Sequence, residues 1–296
     1  MVRFETLISG LSFTECPRWY DGRLYFSDFY TQRVLAVALD GTVETIANVP
    51  GRPSGLGFLP DGRMLIVSMR DRKIMRRELD SSLVEYADLS TLAPWHLNDM
   101  LVDQQGRVWV GNYGFDLMGG AKVTTTNLIC VDPDRSASVV ASGLGFPNGM
   151  ALTADGRTLI VAETFMNRLS GFDVDSGALG ARWTWAAFGD PPAADDTAEV
   201  LRQVDVAPDG ICIDAEGAIW VADAKGCRLI RVAQGGHILE ELKTDRMGVF
   251  ACMLGGENGR TLFACVAPSF DEAEASANHH AEIWMTEVDV PKSGLP

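Results

Sequence analysis

The chain has 296 residues, 47% of them hydrophobic, and a formal net charge of -15. Such a composition can bury a large core, and the low pI of about 4.6 argues against a nucleic-acid partner, which needs a basic face. No stretch approaches the roughly 18 apolar residues of a membrane-crossing helix, so no membrane partner is expected. The segment Met1-Val2-Arg3-Phe4-Glu5 lacks the apolar core of a signal peptide. The six cysteines (Cys16, Cys130, Cys212, Cys227, Cys252 and Cys265) contain no C-x-x-C pair, and most lie in apolar runs. They read as reduced core thiols of a cytoplasmic protein.

Down the chain, one turn signal recurs six times. It appears as Asp21-Gly22-Arg23, Asp61-Gly62-Arg63, Gln105-Gly106-Arg107, Asp155-Gly156-Arg157, Glu216-Gly217-Ala218 and Asn258-Gly259-Arg260. The interval is roughly 40 to 60 residues, the range of repeat architectures. Glycine after an acidic or amide residue suits a hairpin that needs positive φ. A short apolar strand follows each turn, for example Leu24-Tyr25-Phe26, Val108-Trp109-Val110 and Ile219-Trp220-Val221. A third strand comes next, beginning at Arg33, Lys73, Asn127, Arg168, Arg228 and Glu282, and often a weaker fourth, such as Thr42-Val43-Glu44-Thr45-Ile46. Six such units predict an all-β fold, a six-bladed β-propeller with four-stranded blades, as one domain over 1–296. Phe4-Glu5-Thr6-Leu7-Ile8 is left over before the first unit and is expected to supply the outer strand of the last blade. Insertions at 113–126, 188–204 and 268–280 read as loops, placed to cover the mouth of a central channel.

The first strand of each unit carries the chemistry. Counting eight residues back from the turn glycine gives Ser54, Asn98, Asn148, Asp209 and Ala251; Glu15 lies seven back from Gly22. In a propeller the innermost strands line the channel, so these positions form a ring. Polar channel residues often bond only water and backbone. Two carboxylates and two carboxamides at matching positions, without a basic residue, instead call for a cation or a shared proton. Oxygen donors suit one hard divalent ion: Ca²⁺ first, with Zn²⁺, Mg²⁺ or Mn²⁺ as alternatives.

At these residues the chain resembles the senescence marker protein/gluconolactonase (regucalcin-like) family and, more distantly, diisopropylfluorophosphatase. The resemblance is carried by Glu15-Cys16-Pro17-Arg18-Trp19, Leu97-Asn98-Asp99, Pro147-Asn148-Gly149-Met150, the run from Pro208 to Asp214, and Ala251-Cys252-Met253-Leu254-Gly255-Gly256. It implies a six-bladed propeller with a divalent metal in the channel. It makes Glu15, Asn148 and Asp209 metal ligands, and Asn98 a further ligand or a substrate-binding amide. It also implies hydrolysis of sugar lactones, other lactones or phosphoester-like compounds.

One departure matters: His96 stands where the sugar-lactone enzymes carry an arginine, and Tyr113-Gly114-Phe115-Asp116 replaces a smaller, more acidic stretch. With Phe146, Phe165 and Phe250 near other strand ends, a less polar lactone or ester is the expected substrate. His96, Asn98, Tyr113, Phe115, Phe146, Phe165 and Phe250 are its expected contacts, unless the aromatics merely pack between blades. Asp209 is the candidate base and Asn98 the residue that orients the carbonyl. Serine and cysteine nucleophiles fit poorly: there is no G-x-S-x-G elbow, and Cys252 has no evident histidine partner. Two other readings fit the same residues. One is phosphotriester or organofluorophosphate hydrolysis, and the other is a non-catalytic metal-binding propeller.

Overall fold

The computed structural model describes residues 4–294. Six antiparallel sheets follow one another along the chain, each a blade whose first strand is innermost. The first strands are Thr14–Tyr20, Pro53–Phe58, Leu97–Val102, Pro147–Leu152, Pro208–Ile213 and Gly248–Gly255. All six turn glycines have positive φ, between 69° and 84°, so the hairpin turn expected from sequence recurs in every blade. The second strands, such as Val108–Asn112 and Ile219–Asp223, are buried along their whole length because each faces a neighbouring blade on both sides. That explains their continuous apolar runs. Blade four carries an extra two-residue strand, Ala178–Leu179, beside its usual fourth strand Trp183–Ala187.

The last blade borrows its outer strand from the other end of the chain. Glu5–Leu11 pairs antiparallel with Ala281–Glu287, aligning Thr6 with Trp284 and Ile8 with Ile283. The ring is therefore closed by hydrogen bonds between N- and C-terminal segments, as the leftover apolar run implied.

Two of the three insertions expected to be loops contain short helices. Thr197–Gln203 and Glu272–Asn278 begin at Asp196 and Asp271, whose side chains accept from the backbone N–H of Glu199 and Glu274. The Asp-x-x-Glu spacing in each is the capping signal that composition obscured. The cysteines are all free, and five are buried; Cys227 is only half-buried, in a turn with φ 47° rather than in the core.

Each first strand carries a β-bulge next to its ring residue: Pro53 and Leu56, Leu97 and Met100, Pro147 and Met150, and Pro208 and Ile211 bracket an extra residue. Bulges re-aim side chains, and Asn98, Asn148 and Asp209 beside three of these bulges face the channel cavity. In blade one the bulge begins at Glu15 itself, and Cys16 takes a left-handed φ of 54°. That shift matches the one-residue offset of Glu15 in the sequence count. The glycines after the ring residues let the inner strands approach. A Cβ on Gly149 would stand 2.5 Å from the backbone nitrogen of Ile211, and one on Gly210 would stand 2.5 Å from Cα of Ala251.

Arg18 crosses beneath the ring. Its Nη2 donates to Asp99 Oδ1 (2.8 Å) and to the Met100 carbonyl (2.7 Å), with both side chains buried. Removing one partner of a buried pair strands the other charge. Arg18→Met is therefore expected to lower unfolding free energy by about 3–5 kcal/mol in urea titration. A loss under about 1 kcal/mol would show that the pair is not needed to bury Asp99. Beyond Arg18 the channel is closed by the C-terminal segment, where Lys292 and Ser293 donate their N–H groups to the carbonyls of Gly259 (2.7 Å) and Ile213 (3.1 Å).

Candidate active site

The open end of the channel is a single cavity. Glu15, Asn98, Asn148 and Asp209 line its floor, and His96, Tyr113, Phe146, Phe165 and Phe250 line its wall. Two ring positions turn away: the Ser54 hydroxyl lies 3.7 Å from Cys16 Sγ, and Ala251 packs among apolar neighbours. Phe115 does not reach the cavity. It stands behind Phe146 and Phe165, with each ring centre 6.1 Å away.

The wall extends beyond the residues singled out from sequence. Phe13, Phe29, Tyr30, Arg52, Met69 and Thr164 also line the cavity, and the insertions add Leu117, Met118, Thr197, Leu201 and Phe270. Part of this set had a legible signal. Phe13, Arg52, His96 and Phe146 each lie two residues before a ring position, in the segment that leads into the first strand at the cavity end of its blade. The insertion residues had none, because their approach depends on ring closure. The roof is tied down at several points: Lys122 pairs with Asp195 (2.5 Å), the Tyr30 hydroxyl donates to the Phe270 carbonyl (2.7 Å), and Glu272 pairs with Arg52 and Arg70.

The electrostatics separate two kinds of buried acid. Eight carboxylates are buried among the described residues. Six have an arginine partner: Asp28 with Arg33, Asp99 with Arg18, Asp103 with Arg107, Glu163 with Arg168, Asp214 with Arg231 and Asp223 with Arg228. Glu15 and Asp209 form no ion pair with a basic side chain among the described residues. Burial and nearby carboxylates push both well above the usual carboxylate range: Asp209 and Asp99 act on Glu15, and Asp99 acts on Asp209. His96 moves the other way. Burial, then the charges of Arg52 and Arg70, holds it below the ordinary imidazole range, so it is neutral at pH 7.

The amides are oriented by their nitrogens. Asn148 Nδ2 donates to Asp209 Oδ1 and to Thr164 Oγ1 (3.3 Å), while Thr164 donates on to the Pro208 carbonyl (2.8 Å). Asn98 Nδ2 donates to the Pro147 carbonyl (3.3 Å). Neither amide oxygen accepts a hydrogen bond among the described residues, although both side chains are buried. Two uncompensated carboxylates and two free amide oxygens around one cavity fit a hard divalent cation. No three His, Cys, Asp or Glu side chains converge among the described residues. A site here therefore depends on the amides.

The family model for the SMP-30/Gluconolactonase/LRE-like region matches residues 13–267. The chain belongs to this family. Within it, the pentonolactonase of Haloferax volcanii is 28% identical over 95% of this chain and 92% of its own length. The 6-deoxy-6-sulfogluconolactonase of Pseudomonas putida is 26% identical over 95% of this chain and 93% of its own. Among solved structures, a luciferin-regenerating enzyme superposes with a TM-score of 0.81 at 20% identity, covering 100% of this chain and 99% of that one. At that identity the match establishes the propeller fold and nothing further. No helix among the described residues is long and apolar enough to cross a membrane.

Proposed function

We propose that the chain hydrolyses a lactone with an apolar or aromatic body, in a reaction that depends on a divalent cation held by Glu15, Asn148, Asp209 and Asn98. One observation carries this reading: of the eight buried carboxylates, only the two facing the cavity floor lack a basic partner. A scaffold that needed buried acids only for structure would pair them, as the other six are paired. Family membership and the two lactonases above support a lactone as the substrate class. The aromatic wall supports the apolar body. Tyr113 lies 4.5 Å from Phe146, and Phe146 lies 4.8 Å from Phe165, measured between ring centres.

The chemistry uses the chain's own groups as follows. A water attacks the lactone carbonyl carbon and gives a proton to Asp209, whose burial raises its basicity above that of an ordinary carboxylate. The ring C–O bond then breaks, and the leaving ring oxygen takes that proton, so the product is a hydroxy acid. Asn98 orients the carbonyl, and neutral His96 contacts the substrate from the rim. A bound cation would polarise the carbonyl and stabilise charge on its oxygen. All-oxygen donors make Ca²⁺ the first candidate, with Mg²⁺, Mn²⁺ and Zn²⁺ behind it. The free thiols are compatible with a reducing, cytoplasmic setting.

The test is lactone hydrolysis by chelator-stripped protein before and after adding Ca²⁺, Mg²⁺, Mn²⁺ or Zn²⁺. Aldonolactones are run beside apolar γ- and δ-lactones. Turnover restored by a metal, with preference for the apolar lactones, is the expected result. Undiminished turnover after verified stripping would overturn the metal dependence. Preference for aldonolactones would overturn the apolar-body reading.

A further inference from the structure

Arg52 is the only arginine or lysine that lines the cavity among the described residues. Its side chain is only 8% exposed, and its backbone adopts a left-handed φ of 73°. The guanidinium lies over the Tyr30 ring, 4.7 Å from its centre. Nη2 donates to Glu272, while Nε and Nη1 donate to no acceptor among the described residues. Glu272 is also shared with Arg70 (3.2 Å). Arg52 and Arg70 thus share one carboxylate, in a protein whose net charge is -15. The shared carboxylate is 43% exposed on a seven-residue helix, and ion pairs with such partners are weak and readily exchanged.

We propose that Arg52 determines specificity by binding a carboxylate substituent on the lactone, with Glu272 as its displaceable counterion. The substrate class is a lactone with an apolar ring and one carboxylate arm, and the product is a hydroxy dicarboxylate. Arg52 lines the same cavity as Glu15, Asn98, Asn148 and Asp209, so one bound molecule can meet both the guanidinium and the floor. The planar guanidinium donates to a carboxylate through two parallel N–H groups, and each such pair includes Nη2, so the arm takes the bond now made to Glu272 together with Nε or Nη1. The aromatic wall opposite takes the ring. This inference rests on the lactonase reading.

The test compares a γ-lactone bearing a carboxymethyl arm with the same lactone bearing a carboxamide arm. The readout is the ratio of their kcat/KM values. Wild type is expected to favour the carboxylate by about 30-fold, the size of a charge-assisted contact. Arg52→Met should collapse that ratio toward one, and Glu272→Gln should raise it by removing the competitor. If Arg52 only ties the helix down, both variants will change the two substrates equally and leave the ratio fixed, which overturns the proposal. Should Arg52→Met fail to fold, the exposed Glu272→Gln variant still decides: a ratio at or below that of wild type overturns it. Hydrolysis of both lactones without preference overturns the carboxylate site and leaves the lactonase reading standing. Hydrolysis of neither counts against the lactonase reading. Calorimetric binding of the two compounds to wild type and Glu272→Gln then reads the Arg52 contact without catalysis, and equal affinities overturn it.

Discussion

Asp209→Asn is expected to lower kcat/KM on the preferred lactone by about 10³-fold, the scale of losing a positioned general base. The fold should survive. Asn148 Nδ2 now donates to Asp209 Oδ1, and an amide oxygen at that position accepts the same bond. Burying a neutral amide costs less than burying a carboxylate beside Glu15 and Asp99. The melting temperature in the absence of cation should therefore hold or rise by about 2–5 °C. The pH dependence has a definite sign. Glu15 and Asp209 have folded-state pKa values above their unfolded ones, so the folded chain keeps its protons to higher pH. In chelator-stripped protein, stability is then fully present below the ordinary carboxylate pKa of about 4 and falls as pH rises through the elevated range. Asp209→Asn should flatten that fall. Turnover within about threefold of wild type would remove Asp209 from the reaction.

Deleting residues 1–8 is expected to lower the melting temperature by about 10 °C. The deletion removes the pairing of Glu5, Thr6 and Ile8 with Met285, Trp284 and Ile283, and the hydrogen bond from Thr6 Oγ1 to Glu282 (3.0 Å). It also removes Phe4, whose ring lies 5.6 Å from that of Trp284. What is left is an open edge on Ala281–Glu287 and a ring no longer closed by its outer strand, so aggregation on heating should increase as well. Calorimetry reads the shift directly. A change under about 2 °C would mean that packing between blades closes the ring without this strand.

The repeat was legible because its cause is local. A turn glycine and the apolar strands around it are set by backbone stereochemistry and a two-residue period, and all six turn glycines carry the positive φ expected of them. The ring followed from the same arithmetic. Where it slipped, at Glu15, the bulge begins at the ring residue itself, one position later than in blades two to five.

What the sequence by itself determined was the propeller, its closure by the N-terminal strand, and the positions that face the axis. Only the tertiary structure decided which acids are neutralised. Asp99 and Asp209 look alike in sequence, each beside or within a ring position, yet Asp99 meets Arg18 across 81 residues of chain and Asp209 meets no basic partner among the described residues. The same holds for Arg52, which joins Glu272 across 220 residues. Phe115 differs from Phe146 only in depth, one behind the wall and one on it. Those outcomes depend on which blades become neighbours once the ring closes. Charge compensation and burial arise between segments far apart in the chain, whereas strand period and turn chemistry are written within a few residues.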